Sequence, residues 1–296
     1  MGRDIKVQMV PARAAELAAA LPYLGYLARA SMLPSVWLQR VDGYDSPISL
    51  IAIHHQLRAP LNGRVYDFMY LQLQEKQDFD LHAETLSQAI DHVRTLVPAD
   101  HLLTPFIQDD EPRLNLLDTV GFKVANTSYD MAATSPSQIA DSFTAGREVV
   151  ENWGREQQIA LQPYGEGPEK AVRALHIESL GMVPDGHFAL FGMLKNDVDY
   201  SHSCVALRGD RVLGHVIVSH AIPDAHCRSI VICEEYRGSP LVALMCLSVV
   251  SAVEISEYDR VMFTVNSTNE RSLAFTSVFD TVQTGLKHRM LRTLRE

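Results

Sequence analysis

The chain has 296 residues, of which 47% are hydrophobic and 21% charged, and its formal net charge is −10. This composition fits a soluble globular protein with enough apolar residues for one or two cores. An acidic balance without clustered Lys and Arg argues against a nucleic-acid or anionic-membrane surface, though it leaves room for a local anion site.

The N-terminus lacks a signal-peptide pattern, and no apolar run approaches the ~20 residues of a membrane span. Cys204, Cys227, Cys233 and Cys246 form no C-x-x-C pair. The expectation is reduced thiols in a cytoplasmic protein and no metal. The adjacent His54 and His55 do not change this, because neighbouring strand residues point to opposite faces.

In chain order, a strand is expected at "IKVQMV" and a helix over 12–33. Strands follow at "SVWLQRV", "SLIAIHHQ" and "VYDFMYLQLQ". A helix "AETLSQAIDHVRTL", a strand "HLLTPFIQ", a helix "PRLNLLDTV" and a strand "FKVANTSYDM" complete the first half. The stretch "ATSPSQIADSFTAG", residues 133–146, reads as a loop, and "REVVENWGREQQ" as a short helical connector.

The second half repeats the order. A strand "IALQPY" precedes helical stretches around 167–181 and 187–195, and Gly209-Asp210 marks a hairpin between "SCVALRG" and "RVLGHVIVSH". A strand "HCRSIVIC" leads through "EEYRGSP" into an apolar helix, followed by a strand "RVMFTVN", a short helix from Asn269 and a last strand around 282–293. Two like-ordered α+β units of ~130–140 residues each are plausible domains. The expected division is a first unit over 1–135, a linker over 136–157 and a second unit over 158–296.

"VICEEYRGSPLV" is a strand, a tight turn and a helix start, an arrangement whose unpaired N–H groups and dipole favour an anion. Together with the element order it resembles the GNAT-type acyl-coenzyme A-dependent N-acyltransferases, in two tandem copies over nearly the whole chain. The resemblance implies an α+β fold in which each unit is a mixed, mostly antiparallel sheet flanked by helices. In that family the turn reads R/Q-x-x-G-x-G/A and holds the coenzyme A pyrophosphate. Tyr236, Arg237 and Gly238 match its common form, while Pro240 and Val242 stand where glycines are usual. Proline removes one N–H donor, at little cost in a first helical turn.

Downstream, "TVNSTNERSLAFTSVFDTVQTG" fits the family's next segment without a gap. Asn269 takes the Asn position and Gly285 the last glycine; Thr276 replaces a tyrosine, and Asp280-Thr281 replace a Gly-Phe pair. In the first half, "DDEPRLNLLDTVGF" places Asp110 at the Asn position and keeps Gly121-Phe122. The offset 269 − 110 = 159 puts the first unit's turn at 237 − 159 = 78, in "DFDLHA". There Asp78 and Asp80 would oppose a pyrophosphate, so the first unit is expected not to bind coenzyme A.

The resemblance implies acetyl-CoA or another acyl-CoA as cosubstrate, held by Ile232, Cys233, Arg237, Gly238, Ser239, Leu241, Val242, Asn269 and Ser272. In many relatives the base is a Glu eleven residues before the first motif residue; here 237 − 11 = 226 is His226, which near neutral pH needs little tuning. His220 is the alternative base. A backbone N–H near Ile232 or Cys233 would stabilise the oxyanion. Thr276 is the weak candidate for protonating the leaving thiolate, which can also depart unassisted. The function implied is transfer of an acetyl or acyl group to the amine of a small molecule by direct attack in a ternary complex, with a possible homodimer and no nucleic-acid or membrane partner. The alternative is a non-catalytic acyl-CoA-binding or recognition protein on the same fold.

Overall fold

The computed structural model describes residues 7–11, 35–41, 47–56, 63–72, 79–104, 106–134, 136–166, 168–180, 202–221, 223–252 and 258–294. The helices expected over 12–33 and 187–195 lie outside these residues. The chain forms two compact units, residues 1–127 with 287–296, and residues 128–286.

In the first unit β1 (Val7–Pro11), β2 (Ser35–Val41), β3 (Ser49–Gln56) and β4 (Val65–Gln72) pair antiparallel in succession. Helix α1 (Phe79–Leu96) follows, and β5 (His101–Leu103) returns parallel to β4. The apolar stripe of α1, Leu86, Ala89, Ile90 and Val93, is buried with Ile51, Ile53, Phe68 and Tyr70 of the sheet. This is the 3.6-residue periodicity that fixes an amphipathic helix on a sheet.

The short strand β6 (Ile107–Gln108) and α2 (Arg113–Thr119) come next. Gly121, at φ +88°, ends α2 in a conformation that favours glycine, and Phe122 then enters the core and stacks on Phe68 at 5.7 Å. Strand β7 (Lys123–Ala133) follows.

In the second unit, residues 128–133 of β7 pair with residues 261–266 of a later strand. The expected loop at 133–146 is instead largely helix α3 (Pro136–Thr144). Proline suits a first helical turn. Ser142 and Thr144 return their hydroxyls to the carbonyls of Gln138 and Ala140 at 2.7 and 2.6 Å, so these polar residues fit within the helix. Ile139 and Phe143, four apart, pack on Phe275 and Phe279. Helix α4 (Arg147–Glu156) continues the chain.

Strand β8 (Ala160–Pro163) leads to α5 (Glu169–Leu180), then to β9 (Cys204–Arg208), β10 (Arg211–Ala221) and β11 (Asp224–Ile232), with β8 to β11 antiparallel. Helix α6 (Leu241–Ala252) is apolar nearly all round, as suits a helix packed on several sides. Against it lie α3, the sheet and α4; a Cβ added at Gly154 of α4 would sit 2.8 Å from a Leu244 methyl. Strand β12 (Arg260–Asn266) runs parallel to β11, then come α7 (Glu270–Thr276) and β13 (Thr281–Thr293). Residues 291–293 of β13 pair with β5 in the first unit.

Both units thus place four antiparallel strands, a helix, a parallel strand and a second helix in the same order, the mixed and mostly antiparallel α+β class expected.

Candidate functional site

Strands β11 and β12 pair in parallel from Asp224–Arg260 to Cys227–Phe263, and there the pairing stops. Strand β11 continues to Ile232, and β12 continues to Asn266 with β7 on its other side. A gap opens between two parallel strands, and it leads toward the turn at 233–240.

Two backbone features decide what faces this gap. Ile217 pairs with Ser229 and Val218 with Cys227, so Arg228 is an extra residue on β11, a β-bulge. The bulge inverts the alternation beyond it. Ala225, Cys227 and Ile230 therefore share one face, which looks on a cavity under α6. His226 and Ser229 take the opposite face, opposite Ser219 and Ile217.

The second feature is the bond from the Cys233 N–H to the Leu213 carbonyl, 2.8 Å long. It makes Gly214–Ile232 a non-hydrogen-bonded pair, so the Ile232 N–H points away from β10. Ile230, two residues earlier, has the same orientation. Of the two amides expected to serve as oxyanion donor, Cys233 is occupied and Ile232 faces the gap. Ile230 was missed, because its orientation depends on the bulge and on the Leu213 bond.

A single 3₁₀ turn, Glu234–Tyr236, and Gly238 at φ +85° connect β11 to α6. A Cβ on Gly238 would meet nothing within 4 Å, so the backbone angle, not crowding, calls for glycine. The Ser239 N–H is taken by the Tyr236 carbonyl at 3.1 Å, and the Leu241 N–H by the Ser239 hydroxyl at 3.3 Å. Among the described residues, the N–H groups of Gly238, Val242 and Ala243 have no acceptor. Of the four donors expected here, Gly238 and Val242 are thus open, Ser239 and Leu241 are engaged within the turn, and Ala243 is added.

Arg237 is exposed beside these donors and has no ion-pair partner among the described residues. Tyr236 is buried, anchored by Arg208 at 3.2 Å and by the edge of Trp153. The exposed Glu235 is held by Arg211 in a two-pronged pair at 2.6 and 2.7 Å.

His226 is half-buried. Burial, helped by the Arg228 charge, lowers its pKa below the usual 6.5 against the opposing pull of Asp224 and Asp130, which favours the neutral imidazole at pH 7. His220 sits in β10 opposite Ala225, and its side chain lies outside the described residues. His215 is buried on the same face as His226 and packs on His176 of α5, with Nε2 3.3 Å from Nδ1. The Cys233 thiol is pushed up by burial and then by Glu235, so it stays protonated and poorly nucleophilic.

The second expected segment is occupied differently. Asn269 caps α7, its side chain accepting from the Ser272 N–H at 3.1 Å. Thr276 is 3% exposed and donates its hydroxyl proton to the Leu273 carbonyl at 3.0 Å. The structure therefore gives that proton a partner inside its own helix. Among the described residues no group of His, Cys, Asp and Glu is arranged to hold a metal ion, and no helix is long and apolar enough to cross a membrane.

No family model and no curated protein matches the sequence. Solved structures resemble its fold. A tandem GNAT protein from the clavulanic acid biosynthesis pathway superposes with a TM-score of 0.63 at 13% identity, over 98% of this chain and 99% of its own. A GCN5-related N-acetyltransferase from Anabaena variabilis gives 0.64 at 14% identity, over 98% of this chain and 73% of that one. One from Sphaerobacter thermophilus gives 0.57 at 12%, over 98% and 96%. Along nearly its whole length, the chain has the fold of the GCN5-related N-acetyltransferases.

Proposed function

We propose that this protein is a cytoplasmic acyl-coenzyme A-dependent N-acyltransferase, and that its second unit moves an acyl group to the amine of a small molecule. The observation that carries the reading is the opening of β11 from β12 beyond Cys227–Phe263, running toward a glycine turn with three open N–H groups. The pyrophosphate sits on the Gly238, Val242 and Ala243 amides, with Arg237 as its cation. The thioester arm then lies in the gap, where Ile230 and Ile232 present N–H groups to its carbonyl.

His226 is the base. It takes a proton from the acceptor ammonium, and the freed amine attacks the thioester carbon. The Ile230 or Ile232 amide holds the resulting oxyanion. The carbon–sulfur bond breaks, the amide forms, and coenzyme A leaves as a thiolate that takes its proton from water. No step needs Thr276, whose proton is committed to Leu273. In the first unit Asp80 lies in the first turn of α1 and puts a carboxylate where a phosphate would sit. Asp78 lies outside the described residues.

Calorimetric titration with acetyl-CoA tests the reading, with Arg237→Ala as control. Micromolar binding that weakens at least fivefold in the variant supports it; silence toward every acyl-CoA overturns it. The committed Thr276 hydroxyl favours a second reading, an acyl-CoA-binding protein without chemistry. Tight binding with no acylation across a broad amine screen would select that one.

A further inference from the structure

The cavity beneath α6 has a place in the fold that ordinary core packing does not explain. Its wall comes from every element around the gap: Ala225, Cys227 and Ile230 of β11, Phe263 of β12, Cys246 of α6 and Phe275 of α7. The space is about 80 Å³, several times the roughly 10–15 Å³ that one water needs. The wall is almost wholly apolar, and such a cavity stays dry and takes up apolar ligands. Its thiols bring no charge, since burial pushes Cys227 up to about 12 and Cys246 well above the usual thiol range.

The cavity begins where the strands separate. Cys227 and Phe263, the last pair of β11 and β12, are both in its wall. Ile230 contributes its side chain to the wall while its N–H faces the gap. The glycine turn lies at the far end of β11, several residues beyond. A thioester that enters from the turn and places its carbonyl at the Ile230 amide would send its acyl tail onward into this space.

We propose that the cavity is an acyl-chain pocket, and that the donor carries an unbranched chain of several carbons in place of acetyl. This rests on the reading of the second unit as an acyl-CoA site. Each methylene buried there adds roughly fourfold to affinity, until the chain meets the end wall. Phe275, Phe279 and Ile139 close the pocket and limit the length.

The test is a titration of the full chain with acetyl-, butyryl-, hexanoyl- and octanoyl-CoA. The expected result is tightening of at least tenfold from acetyl to hexanoyl. Two variants on the α6 wall, Val250→Phe and Cys246→Leu, fill the space. In each, hexanoyl-CoA should fall to the acetyl level while acetyl-CoA binds within about twofold of the native protein. Equal binding of the four thioesters by the native protein overturns the acyl pocket and leaves the acyl-CoA reading standing. No binding of any thioester overturns both. A variant that does not fold leaves the native donor ladder to decide.

Discussion

The Cys233 amide donates to the Leu213 carbonyl at 2.8 Å, and that bond turns the backbone of Ile230 and Ile232 toward the gap between β11 and β12. A hydrogen-bonded strand edge alternates, so one bond sets the parity for its neighbours. The same bond fixes the start of the Glu234–Tyr236 turn, and so links the direction of the gap to the position of the open N–H groups of Gly238, Val242 and Ala243.

Gly214 protects this geometry. A Cβ placed there would lie 2.8 Å from the Val231 carbonyl oxygen and 3.0 Å from the Met245 methyl. The methionine can move; the carbonyl belongs to the ladder. Gly214→Ala should cost about 1–3 kcal/mol, the range for overpacking a tight core, read as a lower urea midpoint. It should also weaken acyl-CoA binding, because the displaced strand is β11. Unchanged stability would show that β11 can slip without loss.

The strands of both units were legible because alternation and the Gly209-Asp210 turn are strong local signals. Helix α3 was not. Ser, Thr and Pro make up four of its nine residues, and its stability comes from back-bonded hydroxyls and from Ile139 and Phe143 meeting Phe275 and Phe279. In the site, Gly238 was readable because its turn needs a positive φ. The bulge at Arg228 has no signature in "AHCRSIVI", and without it Ile230 could not be assigned to the gap. Likewise the Ser239 side chain could have caught phosphate or its own turn; in the folded turn it accepts from the Leu241 amide.

His226 yields a pH prediction. Its pKa is lowered by burial and Arg228, so the neutral imidazole predominates at and above neutrality. The kcat/KM should rise with pH through an inflection below 6.5 and then level off. His226→Gln should remove that inflection and lower the plateau by roughly 10²–10⁴, the usual worth of a general base. A retained inflection in the variant would assign the base elsewhere, with His220 the next residue to replace.

Residues 158–296, expressed alone, should not fold cooperatively. They would lack residues 128–133, which pair with β12 from Val261 to Asn266. They would also lack Phe143 of α3 against Phe279, and Trp153 of α4 against Tyr236 of the turn. Exposing the apolar faces of α6 and α7 should give broad melting and weak near-UV circular dichroism. A sharp transition would show that α3, α4 and the β7 pairing are dispensable.

The pair His176–His215 predicts how stability depends on pH. Burial lowers the His176 pKa from 6.5 to about 4. Between those values the unfolded chain holds a proton that the folded chain refuses, so stability falls as pH falls through this window. The contribution is fully present above 6.5 and is lost near 4, on the order of 3 kcal/mol across the range at about 1.4 kcal/mol per pKa unit. Urea midpoints measured from pH 7 to pH 4 should therefore drop. In His176→Gln the slope should flatten over the same window, even though the variant starts from a lower midpoint after losing the 3.3 Å contact with His215. Parallel slopes in both proteins would mean that other groups govern the acid sensitivity.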